Sequence, residues 1–347
     1  METKPRRSKA PAASSPRRRR LPGDPATRYA KAVVSGKTIA GPHVRAACAR
    51  HIKDLEEGAA RGLIWDQEAV VHALAFFTEV LCLNGGEYEG KPFELLAWQR
   101  FVVGSIFGWK TVDGHRRFRV AYVETAKGSG KSPLAAGIGM YGMVADNEAR
   151  AEIYAAATKK DQAMVLFRDA VAMWQLSPEL RSRLKTSGTG ENVWNLAYLE
   201  KGAFFRPISA DDGQSGPRPH IALIDEVHEH RNNTVVEMMR AGTKSRRQAL
   251  IFMITNSGSS KTSTCWGYHD YGAKVADGVL EDDTFFSYIC SLDVGEDPIR
   301  NEKCWAKANP SLQEADLPGI KYLREQVREA RGMPAKEALV RRLCFCE

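Results

Sequence analysis

Two short stretches of this 347-residue sequence hold side chains spaced for phosphate chemistry. The first runs Glu124, Thr125, Ala126, Lys127, Gly128, Ser129, Gly130, Lys131, Ser132, and its last three residues complete the phosphate-loop pattern GxxxxGK[ST]. Thr125 stands where that pattern has its first glycine. Gly128 and Gly130 allow the backbone to turn its N–H groups toward an anion. A helix that starts at Ser132 would aim the positive end of its dipole at the same place. Pro133 suits the first helical turn, where a missing N–H costs nothing. In that frame Lys131 neutralises the β- and γ-phosphates of a nucleotide and the Ser132 hydroxyl ligates Mg²⁺. The second stretch is Ile221, Ala222, Leu223, Ile224, followed by Asp225 and Glu226. Four apolar residues ending in two acids describe a buried strand that delivers carboxylates at its C-terminal edge, where open α/β sheets bind ligands. Asp225 would hold Mg²⁺, and Glu226 would activate the water that attacks the γ-phosphate. Adjacent acids repel unless a cation sits between them, which favours a metal.

The elements that must carry these groups can be read from hydrophobic spacing. Strands are expected at 118–123, 153–157, 221–224 and 249–255, with helices at 132–144, 160–175 and 232–242 between them. Residues 193–199 and 203–208 read as a hairpin. This alternation predicts an α/β fold with a mostly parallel sheet flanked by helices on both faces. Two helices are expected within 43–83 and a third at 94–108. From 284 on, a short strand and helical segments near 299–307, 318–331 and 335–346 read as a smaller appendage. The resulting division is a disordered basic tail at 1–26, an N-terminal helical segment at 27–117, a core at 118–280 and a lid or linker at 281–347. The chain stops within helical periodicity, which is expected of a fragment.

The net charge of +8 resides mainly in the tail, where residues 1–20 hold eight basic side chains and one acid. The remaining residues are nearly neutral, so a nucleic-acid surface on the body would have to be a local patch. The tail itself reads as a solvated segment, an electrostatic arm for DNA or an acidic partner, or a transit peptide without an amphipathic face. Seven dispersed cysteines with no CxxC pair read as reduced cytosolic thiols, with Cys344 and Cys346 on an apolar helix face. No uncharged apolar run approaches the roughly 18 residues that a membrane span needs.

Two further groups fall near the expected phosphate site. Gln99 carries an amide able to read an adenine edge. Thr255, Asn256, Ser257 and Gly258 follow a buried strand and could sense the γ-phosphate and relay hydrolysis.

The ordered set resembles the large subunits of tailed-bacteriophage terminases, the DNA-packaging motor ATPases. The resemblance runs from about residue 40 to the end and rests on six segments: Gly41 to Leu55, Leu96 to Phe101, the phosphate loop without its first glycine, Ile224 to Glu229, Ile254 to Gly258, and Trp305 to Leu312. It implies an ASCE-type P-loop NTPase with a small helical lid, using ATP and Mg²⁺. It implies ATP-driven movement of double-stranded DNA into a procapsid by a pentameric ring on a portal protein, with a small terminase subunit, in the host cytoplasm. Gln99 would be the adenine-contacting glutamine, and residues 255–258 the coupling motif. Lys127 stands where the family usually has an arginine, keeping the charge without the bidentate fork. A neighbouring copy would supply an arginine, here Arg218, with Arg246 and Arg247 as competitors. The family's C-terminal nuclease would begin about where this chain ends, and Asp293, Glu296 and Asp297 read as solvated loop acids, so no nuclease activity is expected of these residues. Two rival readings are another P-loop motor such as a helicase, and a scaffold or prophage remnant with a dead site.

Overall fold

The computed structural model describes residues 24–209 and 216–347. Most of the expected basic tail lies outside them, but its last residues do not belong to a tail. Asp24 accepts a hydrogen bond from the Thr27 amide (2.9 Å), Pro25 occupies the first helical turn and Ala26 is buried, so helix α1 (Pro25–Val34) starts there. An aspartate cap followed by proline outweighs the surrounding Pro- and Arg-rich composition. Helix α2 (Pro42–Glu57), strand β1 (Leu63–Trp65), α3 (Gln67–Val80), α4 (Ala97–Gly108) and β2 (Trp109–Thr111) follow, with β1 and β2 paired antiparallel.

The central sheet then builds in the order β3 (Val120–Glu124), α5 (Lys131–Val144), β4 (Glu152–Ala157), α6 (Lys160–Leu176), α7 (Pro178–Arg183), β5 (Lys185–Ser187), β6 (Asn195–Tyr198), β7 (Ala203–Ser209), β8 (Ile221–Ile224), α8 (Thr234–Gly242), β9 (Leu250–Thr255), α9 (Thr264–Ala276) and β10 (Phe285–Ile289). Its eight strands lie in the spatial order β10-β3-β9-β8-β4-β7-β6-β5. Every pairing from β10 to β7 is parallel, and the β7-β6 and β6-β5 pairings are antiparallel.

Alternate residues of each central strand enter opposite cores. Ala121, Val123, Leu223 and Phe252 join the larger cluster with the N-terminal helices, α5 and α6. Val120, Tyr122, Ala222 and Met253 join a second cluster with α8 and α9. A sheet buried on both faces needs apolar residues at both alternations, which explains the unbroken apolar runs in these strands.

Two expectations fail here. Strand β10 is not part of an appendage: it is the edge strand beside β3 and pairs with it over Phe285 to Ile289. Nor are Asp293, Glu296 and Asp297 solvated loop acids. Asp293 pairs with Arg45 (2.5 Å), Glu296 with Lys307 (2.7 Å) and Asp297 with Arg341 (2.8 Å), because the loop packs between helices that carry those cations. Helices α10 (Trp305–Ala308), α11 (Leu312–Ala315), α12 (Ile320–Gly332) and α13 (Pro334–Phe345) complete the chain. Cys344 is buried on α13, as expected, whereas Cys346 is buried just past the helix end in a left-handed turn. Among the described residues no helix is long and apolar enough to cross a membrane.

Candidate active site

The phosphate loop leaves β3 at Glu124 and spends its first three amides on the protein. Thr125 donates to the Thr255 carbonyl (3.2 Å), Ala126 to Ala308 (3.1 Å) and Lys127 to Leu343 (2.8 Å). The chain then turns through Gly128 (φ +87°) and Gly130 (φ +83°), a conformation that glycine adopts without strain. Within the described protein, the amides of Gly128, Gly130, Lys131 and Ser132 find no acceptor. Together they form a concave donor set at the N-terminus of α5, suited to an anion.

Lys131 is buried inside this turn. Its ammonium donates to the carbonyls of Thr125 (3.0 Å) and Ala126 (3.0 Å) and to Asn256 Oδ1 (2.8 Å). Burial lowers its pKa. Neutral acceptors hold the charge in place, and charged phosphate oxygens would bind it more strongly.

Strand order brings the acids to the same rim. Strand β9 lies between β3 and β8, so residues 255–258 emerge between the phosphate loop and the carboxylates. Asp225 is buried, and desolvation together with the charge of Glu226 pushes its pKa up to about 7. Glu226 adopts φ +47°, a left-handed conformation unfavourable for a residue with a side chain. Burial alone would raise its pKa, but the contact with His228 and the nearby lysines outweigh burial and hold it low. His228 Nδ1 lies 3.2 Å from Glu226 Oε2 and 3.2 Å from Thr255 Oγ1, and the His228 amide donates to that hydroxyl (3.0 Å). Thr255 and Asn256 therefore touch both halves of the site.

Among the described residues, no group of three or more His, Cys, Asp or Glu could hold a metal by itself. Mg²⁺ takes few protein ligands and completes its shell with water and phosphate. Asp225, buried and short of charge partners, and Ser132 are suitable protein ligands.

Other expected site residues are placed differently. Gln99 is buried against the loop, with its carbonyl accepting from the Leu96 amide (2.9 Å) and its amide group donating to the Gly130 carbonyl (3.4 Å). It braces the phosphate turn from within the fold. Ser129 is also bound within the fold, donating to Ala126 and accepting at its carbonyl from Ser311. The Lys127 side chain is exposed at the loop's tip. Arg218 precedes β8 and so sits at the opposite rim, where its amide donates to Glu152 (2.9 Å). Arg246 and Arg247 precede β9 at that same rim, so none of the three enters this chain's own site.

Two residues escaped the sequence reading. His228 is one; its position two residues after an acid pair was the available signal. Glu124 is the other. This buried carboxylate accepts from Tyr122 (2.7 Å) and Ser257 (3.2 Å) and pairs with His269 Nδ1 (3.0 Å). It ties the end of β3 to the 255–258 segment and to α9, contacts that no local pattern announces.

Residues 97–274 match the model of the family described as terminase large subunit, ATPase domain. Protein YmfN of Escherichia coli (strain K12) is 31% identical over 137 residues, covering 39% of this chain and 30% of that protein. The terminase large subunit of Enterobacteria phage HK97 is 22% identical over 276 residues, covering 78% of this chain and 51% of the relative. The crystal structure of the HK97 bacteriophage large terminase shares the fold, with a TM-score of 0.68 at 20% identity over 80% of this chain and 55% of that one. The chain thus spans about half or less of the length of these relatives. With the family model matching more than half of its length, and the phosphate loop and acid pair within the match, the chain belongs to the family of terminase large subunit ATPase domains.

Proposed function

We propose that this chain is the ATP-hydrolysing motor domain of a viral terminase large subunit, which drives double-stranded DNA into a procapsid. The loop amides and Lys131 bind the triphosphate, and Ser132 and Asp225 hold Mg²⁺. The metal, when bound, offsets charge on the phosphate oxygens. Glu226 accepts a proton from the attacking water as its oxygen bonds to the γ-phosphorus. The bond to the bridging oxygen breaks, and ADP leaves with that electron pair. His228 keeps the Glu226 carboxylate ionised and aimed. DNA is held through its backbone, since a translocating motor cannot depend on base sequence. A homo-oligomeric ring, a portal protein and a small terminase subunit are the partners this reading requires, acting in the cytoplasm of the infected host. A neighbouring copy completes the site with an arginine, and Arg218 is exposed enough to serve that neighbour.

The observation that carries this reading is the contact of one segment with both chemical groups: Asn256 with Lys131, and Thr255 through His228 with Glu226. Loss of the γ-phosphate would be felt there and passed to Glu124 and α9 through Ser257. Steady-state ATP turnover of the full chain at high concentration tests it. Glu226→Gln should bind ATP and lose turnover; equal turnover in wild type and variant would support a dead site.

A further inference from the structure

The C-terminal helices meet the phosphate loop along one seam. The Ala308 carbonyl at the end of α10 accepts from the Ala126 amide (3.1 Å), and the Ser311 hydroxyl, three residues on, donates to the Ser129 carbonyl (2.9 Å). Residues 308–311 therefore run beside 126–129. Between the two contacts, Asn309 donates its amide group to the carbonyls of Trp305 (3.0 Å) and Cys344 (2.8 Å), which ties the seam to α10 and α13. The Leu343 carbonyl of α13 takes the Lys127 amide.

Ser311 is wholly buried, and its bonding has one possible direction. The Trp98 indole N–H, 2.8 Å away, can only donate, and the Ser129 carbonyl can only accept. The Ser311 oxygen therefore accepts from Trp98 and spends its single proton on Ser129. Trp98 is itself fixed by stacking on Tyr288 of β10, with ring centroids 5.4 Å apart. The Ser129 carbonyl shares a trans peptide unit with the Gly130 amide, and in such a unit C=O and N–H point to opposite sides. Holding the oxygen on Ser311 turns the Gly130 N–H away from that hydroxyl, where no group of the described protein engages it.

We propose that Ser311 is a positioning residue for phosphate binding: it fixes the peptide between Ser129 and Gly130 so that the Gly130 amide faces the anion. The proposal rests on the reading of residues 128–132 as the triphosphate cradle. Ser311 touches no phosphate and acts through that one peptide. Because it lies on the chain between α10 and α11, phosphate binding alone, with no base attached, tightens this segment against the loop.

The test titrates the full chain with ATP and with inorganic tripolyphosphate, each with Mg²⁺, by calorimetry, which reads affinity and stoichiometry separately. Ser311→Ala should weaken both ligands by the same factor, about fivefold, at unchanged stoichiometry. A residue that only supports the fold would lower the stoichiometry and leave the dissociation constants as they were. A second measurement needs no variant: saturating tripolyphosphate should slow amide hydrogen exchange across residues 305–316 of the wild type at least about twofold. The proposal is overturned if folded Ser311→Ala binds both ligands like the wild type, if it loses affinity for ATP alone, if only its stoichiometry falls, or if tripolyphosphate leaves exchange at 305–316 unchanged. A wild-type chain that binds neither ligand, or a Lys131→Ala chain that binds both normally, would overturn the phosphate-cradle reading itself, and the role of Ser311 with it.

Discussion

At the rim where the parallel strands end, Lys131 rests on two carbonyls and an amide oxygen, Asp225 is pushed up to about 7, and Glu226 is held in a left-handed turn. At the rim where they begin, Arg119 and Arg246 are fully employed. Arg119 donates to the carbonyls of Ala249, Arg247 and Arg246 (2.8–2.9 Å). Arg246 donates to those of Arg218 (2.7 Å) and Arg150 (2.8 Å) and pairs with Glu148 (2.9 Å). At the second rim these two cations fix loops, bound to groups of their own chain. The first rim keeps its charges on neutral or strained contacts, which phosphate oxygens and a cation could take over. Polar density alone does not mark a site; exchangeable partners do.

The contrast should be sharpest in turnover. Glu226→Gln is expected to lower ATP turnover by about 10²–10⁴-fold, the usual worth of a positioned base. Arg218→Ala, at the far rim, should leave turnover of the dilute chain within about twofold. A loss that appears only as concentration rises would make Arg218 the arginine given to a neighbouring copy. Stability should respond in the opposite sense. Arg246→Ala removes a largely buried guanidinium, leaves the Arg218 and Arg150 carbonyls without it and takes the cation from Glu148, at a cost of about 2–4 kcal/mol in urea unfolding. Turnover per folded molecule should be unchanged.

His228→Ala sits between these cases. It should lower kcat about tenfold with little change in KM, because it removes a group that orients Glu226 and leaves the phosphate cradle intact. A matching rise in KM would mean that His228 acts in binding. The smallest effect concerns His269. Burial would lower its pKa, but the contact with Glu124 raises it above the ordinary 6.5. The folded state therefore binds this proton more tightly, so the pair's stabilisation is fully present below pH 6.5 and is lost as pH rises through the folded value. His269→Gln should cost on the order of 1 kcal/mol at pH 6 and clearly less at pH 9. A cost independent of pH would mean that the ring serves only through packing.

Much of the productive rim was legible in the sequence. Lys131, Ser132, Asp225 and Glu226 stood out because their chemistry requires those types beside glycines or at a strand end. The strands β3, β8 and β9 stood out because burial on both faces leaves unbroken apolar runs. What was not legible depends on position in space. Arg218 is seven residues from Asp225 in sequence, but β8 runs between them and separates them by roughly 20 Å of extended chain. Strand β10 reads as a short isolated run, and only pairing with β3 makes it part of the sheet. Helix α9 escaped because its sequence mixes Gly267, Tyr268, His269 and Asp270 with few apolar positions, and Glu124 gains its meaning only from that helix and from Ser257. Gln99 has the right chemistry for a base, and its bracing of the Gly130 turn appears only in the fold.

The central claim is that a triphosphate binds at the rim where the strands end, on Lys131 and the free loop amides. Calorimetric titration of the full chain with ATP and Mg²⁺, beside Lys131→Ala and Arg246→Ala, tests it most directly. The account predicts that Lys131→Ala weakens binding at least about tenfold, while Arg246→Ala binds like the wild type at a temperature where both are folded. Undiminished ATP affinity in Lys131→Ala would contradict it.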